Sequence, residues 1–399
     1  MTKHYTKGDV LDIRVEKIVP RGLGLAFAEN LTVLVPLAAP GDELRVAIRE
    51  IKKRTAFADI VTVTRSGPRR VVPKCELYGK CGGCDMQHMD YRAQLDAKKD
   101  MLRDCLRRIG KIEFDGEIAM IPCSQPFGYR SRARWHLDRQ RRTFGFYARE
   151  SHNVIDVAHC PILTPGLQSS LEYLRESTNW DELLDDNPTV EAASGEEGRV
   201  SVHSSESDEP SAELSFTVAG ETYAFSAEAF FQANKFLVAE LIAAALGDAK
   251  GAMAVDLYSG VGLFALPLAR RFSSVIAVED NPESAILASQ NFENAGAKNV
   301  SLVAQSVEQF LRDREITDID LLLLDPPRAG TAKSVIPAIA ELRPAMISYV
   351  SCGPSILARD LRILVDAGYS VDTITALDMF PQTHHVETVV RLSVAEARA

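Results

Sequence analysis

The chain has no apolar run approaching the roughly 18 residues needed to cross a bilayer, which excludes a membrane-spanning helix from the reading. Met1 opens a polar stretch without the pattern of a secretory signal, so a cytoplasmic protein is expected. Cysteines are few, seven in 399 residues, and without a secretion signal they do not read as a disulfide framework. Large apolar residues are scarce from about 177 to 213, where Glu, Asp and Ser dominate; much of this stretch is expected to be an exposed or disordered acidic insertion. Basic residues are outnumbered, 45 Lys and Arg against 55 Asp and Glu, which at first argues against a polyanionic partner. Their distribution reverses that argument: residues 1–150 hold 29 Lys and Arg against 19 Asp and Glu, residues 151–399 only 16 against 36. A phosphate-binding face joined to an acidic remainder has this asymmetry. An acidic half that merely keeps the protein soluble is the plainer reading, and both can hold.

What is present suggests two or three domains, the usual division for this length. Five short strands are expected over residues 6–64, at 8–15, 20–24, 31–35, 43–51 and 57–64. They imply a small barrel, of which the oligonucleotide-binding type is common. Residues 48–54 and 65–74 form a basic seam at its exit. The spacing of Leu95, Leu102, Leu106 and Ile109 predicts a helix over 91–110, and 127–160 reads as strands loaded with arginine. From Gly251 onward strands and helices alternate. The apolar run 319–324 suits a central parallel strand covered on both faces, and 373–379 with 386–393 reads as a closing antiparallel pair. An open α/β domain of this kind binds its ligand at the carboxyl ends of its strands.

Several residues fall at those ends. Asp256-Leu-Tyr258-Ser-Gly260-Val-Gly262 allows a tight turn and close approach to a ligand, but lacks the third glycine of a dinucleotide fingerprint. Glu279 ends the next strand, where a carboxylate can accept ribose hydroxyls; a nicotinamide cofactor, or a plain helix-capping role for Glu279, stays open on these residues alone. Asp325-Pro-Pro-Arg328 ends a buried strand rigidly and presents Asp325 to the pocket. Cys352, before Gly353-Pro354, stands at the same edge, a core hydrophobe or a nucleophile. Glu387 follows a polar turn, and is a candidate general base or simply a surface strand residue. Cys75, Cys81 and Cys84 with the distant Cys160 make four thiolates. Their uneven spacing and the following Pro161 favour a [4Fe–4S] cluster over zinc. Tyr129-Arg130-Ser-Arg132-Ala-Arg134-Trp135 and Arg139, Arg141 and Arg142 interleave aromatics and cations. On a strand, Arg130, Arg132 and Arg134 share one face, suited to RNA bases and phosphates or simply to solvent.

Together these residues resemble the uridine-C5 RNA methyltransferases, specifically the iron–sulfur-containing bacterial 23S rRNA branch. The likeness spans nearly the whole chain and is weakest at 165–220. It implies a Rossmann-like class I methyltransferase domain at 230–399. Before it stand a five-stranded OB-like TRAM β-barrel at 1–66, with Arg21-Gly22-Leu-Gly24 at its glycine turn, and a small α+β iron–sulfur central domain at 67–229. The segment 92–121 is expected to pack on the catalytic domain. Cys75, Cys81, Cys84 and Cys160 match the cluster ligands. Gln232 of Phe231-Gln-Ala-Asn234, Tyr258, Gly260, Glu279 and Asp325 match positions around S-adenosylmethionine. Ser351-Cys352-x-Pro354 matches the nucleophile motif and Phe380-Pro-Gln-Thr383-x-His385-Val-Glu387 the motif of the proton-abstracting base. The implied reaction is addition of Cys352 to uracil C6, methylation at C5 and loss of the C5 proton to Glu387. A flipped-out base in single-stranded RNA is the implied substrate. The implied partner is RNA, 23S rRNA before tRNA, with no membrane and no obligate protein partner inferred. The cluster is expected to be structural or RNA-binding, since the reaction moves no net electrons. Ser259, Gly353 and Gln305-Ser306 depart from the family pattern, the last leaving adenine contacts in doubt or shifted to Glu308. A tRNA enzyme of the same family and a catalytically silent RNA-binding assembly protein are the competing readings.

Overall fold

The computed structural model describes residues 5–313 and 316–394. Alternating burial builds its first sheet, whose six strands run in the spatial order Val10–Arg14, Glu43–Lys52, Thr55–Arg65, Leu31–Pro36, Leu23–Ala28 and Lys17–Val19. Val33, Val35, Val46, Ala56 and Ala58 point inward and are fully buried. The strand expected at 20–24 is instead a turn between two strands, so six are formed where five were expected. Arg21 and Gly22 both take positive φ, 73° and 69°, which breaks the extended run.

The second sheet has five antiparallel strands, ordered Val154–Asp156, Thr143–Tyr147, Arg132–Asp138, Thr189–Ser194 and Val200–Ser204. The last two lie within the stretch of which much was expected to be an exposed or disordered insertion, and correct that expectation for 189–194 and 200–204. Thr189–Ser194 pairs with the arginine strand on one side and with Val200–Ser204 on the other. Apart from Val190, the fully buried positions are small, Ala192, Ala193 and Ser201 among them, so composition alone does not reveal these strands. Residues 178–188 and 205–213 are irregular. A hairpin of Leu214–Val218 and Glu221–Phe225 follows.

The largest sheet has eight strands, in the order Val300–Ala304, Phe272–Glu279, Gly251–Leu257, Leu321–Leu324, Met346–Ser351, Glu387–Val394, Tyr369–Leu377 and Ile118–Ile121. Leu321 and Leu323 join the core on one face while Leu322 and Leu324 join the core on the other. This is why the run is apolar without alternation, and burying each leucine stabilises by about 1.5–3 kcal/mol. Strands through Met346–Ser351 are parallel, and Glu387–Val394 returns antiparallel. The outer strand Ile118–Ile121 comes from far upstream and pairs in parallel with Tyr369–Leu377. The helix Tyr91–Cys105 leads to it, started by Asp90, whose side chain accepts the Ala93 N–H at 2.9 Å. Its continuation ends at Gly110, where a Cβ would come within 2.8 Å of the Ala358 carbonyl, so glycine allows it to pack on the helix Pro354–Asp366.

Candidate active site

Parallel strands deliver their carboxyl ends to one edge, and the chain breaks there by local necessity. After Leu257, Tyr258, Gly260 and Gly262 all take positive φ, and a Cβ on Gly262 would strike the Phe292 ring at 2.5 Å. Glu279 braces this turn: one oxygen accepts the Gly260 N–H at 2.7 Å and the other the Asn281 N–H at 2.9 Å. Asp325 follows Leu324 and accepts a hydrogen bond from the Gln232 amide at 3.3 Å. Cys352 follows Ser351. Ser351 pairs with Thr388 in an antiparallel register, so the next opposed positions along this edge are Cys352 and Glu387. An antiparallel strand begins where its parallel neighbours end, and Glu387 reaches the site for that reason.

All seven candidates, Gln232, Tyr258, Gly260, Glu279, Asp325, Cys352 and Glu387, line one cavity of about 1210 Å³. Burial raises the Asp325 carboxyl to about 7. Burial and then the Asp325 charge raise Glu387 well above the usual range, while Arg328 opposes them. Burial followed by Glu387 pushes the Cys352 thiol up to about 12, with Arg328 again acting the other way. Beneath the floor Asp256 is fully buried and also raised, by burial and then by Asp325 and Glu279.

The sequence reading left Arg328 without a role, although it lay inside the Asp325-Pro-Pro-Arg328 motif. Its guanidinium stands over the Phe380 ring at 5.3 Å and acts electrostatically on both Cys352 and Glu387. His385 also lines the cavity and stays neutral, pushed to about 3 by burial, His384 and Arg328. Phe230, half exposed beside Gln232, is a third cavity residue with no motif to announce it. Of the departures, Ser259 and Gly353 serve the backbone: Ser259 donates its N–H to Val278 and Gly353 precedes the helix Pro354–Asp366. Gln305 and Ser306 do not line the cavity, whereas Glu308 acts electrostatically on Tyr258.

The turn that presents Glu387, residues 378–386, is clamped from upstream segments. Lys98 is wholly buried, pairs with the equally buried Asp378 and donates to the Phe380 carbonyl at 3.0 Å. The Gln94 amide oxygen accepts the Gln382 N–H at 3.0 Å, and Tyr129 donates to the Pro381 carbonyl at 2.9 Å. The N–H groups of Asp85 and Met86 both donate to the Gln382 carbonyl, and Asp85 pairs with His384. Gly22 of the first sheet lies against Asp85 and His384, where its absent Cβ would approach both to 3.2 Å.

Cys75, Cys81, Cys84 and Cys160 are free thiols gathered into one region, close enough that their charges act on one another. Burial raises Cys84 to about 12 and Cys160 to about 11, and Arg130 draws both downward. Among the described residues no three His, Cys, Asp or Glu side chains come near enough to hold a single ion.

The arginine strand divides in function. Arg130, Arg132 and Arg134 do share the face toward the cavity. Arg132, however, is spent inside the protein: its guanidinium donates to the carbonyls of Ser226, Ala227 and Ala229 at 2.6–3.0 Å and holds the loop that leads to Gln232. Arg134 pairs with Glu191, and Arg142 with Asp181 of the acidic stretch. Tyr129 and Trp135, expected to stack on bases, are core residues at 2% and 0% exposure. Alternation turns Trp135 away from the arginine face, whereas Tyr129 precedes the strand and borders the cavity, almost fully buried and with its hydroxyl donated to Pro381.

Two family models match the chain: tRNA (uracil-5-)-methyltransferase over residues 206–395 and the TRAM domain over residues 5–61. The 23S rRNA (uracil(1939)-C(5))-methyltransferase of Pectobacterium atrosepticum is 31% identical, over 95% of this chain and 92% of its own length. An RNA methyltransferase of Thermosynechococcus vestitus is 30% identical, over 98% and 99% of the two chains. Among solved structures, the Pyrococcus abyssi tRNA (uracil-54, C5)-methyltransferase, in complex with S-adenosyl-L-homocysteine, superposes with a TM-score of 0.74. It is 26% identical and aligns over 96% of this chain and 100% of that one.

Proposed function

Because the chain belongs to the family of RNA uracil-C5 methyltransferases, we propose that it transfers a methyl group from S-adenosylmethionine to C5 of a uridine in 23S rRNA. The observation that carries this reading is the register opposing Cys352 and Glu387 at the edge of an acidic cavity. The near-full-length likeness to a 23S rRNA enzyme favours that substrate, while the archaeal structure keeps tRNA as the second reading.

Carbon 5 of uracil is too weak a nucleophile to take a methyl group unaided. In the proposed mechanism the Cys352 thiolate adds to C6, and the electron pair of the C5–C6 bond moves onto C5 and O4. S-Adenosylmethionine, when bound, supplies an electrophilic methyl and a sulfonium charge. The enolate carbon would take that methyl as the methyl–sulfonium bond breaks to leave S-adenosylhomocysteine; the Glu387 carboxylate would then take the C5 proton, and the freed electron pair would re-form the C5–C6 double bond as the C6–sulfur bond breaks to free Cys352. Gln232, Tyr258, Gly260, Glu279 and Asp325 would hold the methyl donor. Its positive charge would favour the ionised forms of Asp325, Glu387 and Cys352 together, which burial holds toward the protonated state. Arg328 acts in the same direction on the two reacting groups.

Cys75, Cys81, Cys84 and Cys160 would hold a [4Fe–4S] cluster. What supports this reading is that the four thiols act electrostatically on one another, since such a cluster takes four thiolate ligands. Its role would be structural, because the segment after Cys84 braces the turn before Glu387. The TRAM barrel at 1–66, the central unit at 67–229 and the catalytic unit at 230–399 would then act on one RNA, with residues 92–121 serving the catalytic unit.

The test is incubation with methyl-labelled S-adenosylmethionine and unmodified 23S rRNA or tRNA, beside Cys352→Ala. Label recovered as 5-methyluridine in 23S rRNA only with Cys352 present supports the proposal. Label in tRNA alone keeps the chemistry and replaces the substrate. Absence of label from both would leave an RNA-binding protein.

A further inference from the structure

The far wall of the active-site cavity carries a set of rings that the methyl-transfer mechanism does not use. Tyr147 ends the strand Thr143–Tyr147, and His136 lies on the neighbouring strand, where it pairs with Gly145. Period two turns Tyr147 to the same face, and the two rings stack with centroids 3.7 Å apart and planes 17° from parallel. His152, exposed in the following turn, stands edge-on to Tyr147 at 5.3 Å and 88°. All three line the cavity that also holds Cys352 and Glu387. Arg130, over the Phe146 ring at 5.7 Å, and Arg134 border them.

These rings are held firmly. The Tyr147 carbonyl accepts the Gly82 N–H at 3.0 Å, and the Lys80 carbonyl accepts the Arg149 N–H at 2.8 Å, so the cysteine loop supports the strand end. Glu150 pairs with Arg49 of the first sheet at 2.8 Å and ties the His152 turn to the barrel. A mobile surface aromatic would lose entropy on stacking; one braced from two sides loses little. His136 is kept uncharged by burial, Arg134 and His152.

We propose that Tyr147, with His136 behind it and His152 at its edge, is a stacking subsite for a second nucleobase of the RNA, one flanking the target uridine. This rests on the RNA uridine methylation proposed above and adds a specificity element to it. The chemistry selects the ligand. Stacked neutral rings offer no charge to a lone phosphate, while their flat face suits a base and the bordering arginines suit the phosphate attached to it. Tyr129 and Trp135 cannot take this part, since both are buried in the core. A base held here would fix the register of the strand, so that one particular uridine enters the pocket.

The test uses the full-length protein and a single-stranded, unmodified fragment of 23S rRNA containing the uridine that the protein methylates. Abasic ribose is placed at each flanking position in turn. Binding is read by fluorescence anisotropy and methylation in the same samples, for wild type, Tyr147→Ala, Tyr147→Leu and Tyr147→Phe. Removing one particular flanking base should weaken wild-type binding about 10- to 100-fold, the usual strength of base–aromatic stacking. Tyr147→Ala and Tyr147→Leu should bind intact RNA as weakly as wild type binds the abasic RNA, with no further loss at that position. Tyr147→Phe should restore both binding and position dependence. Tyr147→Leu retains volume, so a fault of packing in the alanine variant is separable. Equal abasic penalties in wild type and Tyr147→Leu at every position would overturn the subsite. Methylation without this coupling would refute the subsite and keep the uridine reading; coupling without methylation would do the reverse.

Discussion

Lys98→Met tests whether the buried pair beneath the base-presenting turn is as consequential as its geometry implies. Lys98 and Asp378 have no exposed side-chain surface, and the ammonium also donates to the Phe380 carbonyl. Methionine keeps the unbranched stem, so little cavity is created and the loss is mainly electrostatic. Removing one member of a buried ion pair leaves the other charge uncompensated, at about 3–5 kcal/mol. Replacing both by apolar groups removes the stranded charge, and the double variant Lys98→Met with Asp378→Leu should lie within about 1–2 kcal/mol of wild type. Urea unfolding followed by far-ultraviolet circular dichroism gives these differences, with the slope against urea checked for a common transition. Methylation adds a separate readout: the double variant should regain stability but not full activity, because the Phe380 carbonyl loses its donor and the turn before Glu387 loosens. A loss below about 1 kcal/mol in Lys98→Met would refute the reasoning, as would a double variant no more stable than the single.

Binding of S-adenosylmethionine should strengthen as pH rises toward 7 and release protons, because a cation favours the ionised form of Asp325, raised to about 7 when the cavity is empty. Calorimetry in two buffers of different ionisation enthalpy measures this, and proton uptake would contradict it. The folding consequence has the same origin. A carboxyl raised from 3.8 unfolded to about 7 folded contributes its stability below 3.8 and loses it as pH climbs through 7, so Asp325→Asn should flatten that decline in the ligand-free protein. Cys352, near 12 rather than 9, should react with iodoacetamide at neutral pH about a thousandfold more slowly than an ordinary thiol. S-Adenosylmethionine should accelerate that labelling relative to uncharged S-adenosylhomocysteine, read by mass spectrometry; equal rates would remove the charge argument. Gly22→Ala should cost about 1–3 kcal/mol, since it forces a side chain into φ 69° and toward Asp85 and His384. A thermal melt unchanged by that substitution would show that the turn can relax.

The legible features are those whose cause lies within a few residues. Asp325-Pro-Pro and Cys352-Gly-Pro end their strands by local sterics, the glycines after Tyr258 permit positive φ, and 319–324 is apolar because both faces of that strand are covered. The strand–helix alternation, the carboxyl-edge location of the candidate residues and the family follow from such patterns. The strand Thr189–Ser194 is not legible locally: apart from Val190 it buries two alanines and a serine, and pairing with a strand on either side makes it regular. Arg132 reads as a free cation until three carbonyls close around it, and Trp135 reads as a stacking surface until alternation turns it into the core. The clamp on the base turn joins Lys98 to Asp378, 280 positions apart. Sequence determined which groups are available and where the chain must turn, because torsional preference and hydrophobic period act over short range. Tertiary structure alone decided which cations are spent inside the protein, which rings remain open to the cavity, and that Cys352 and Glu387 oppose each other, because pairing across a sheet carries no local signature.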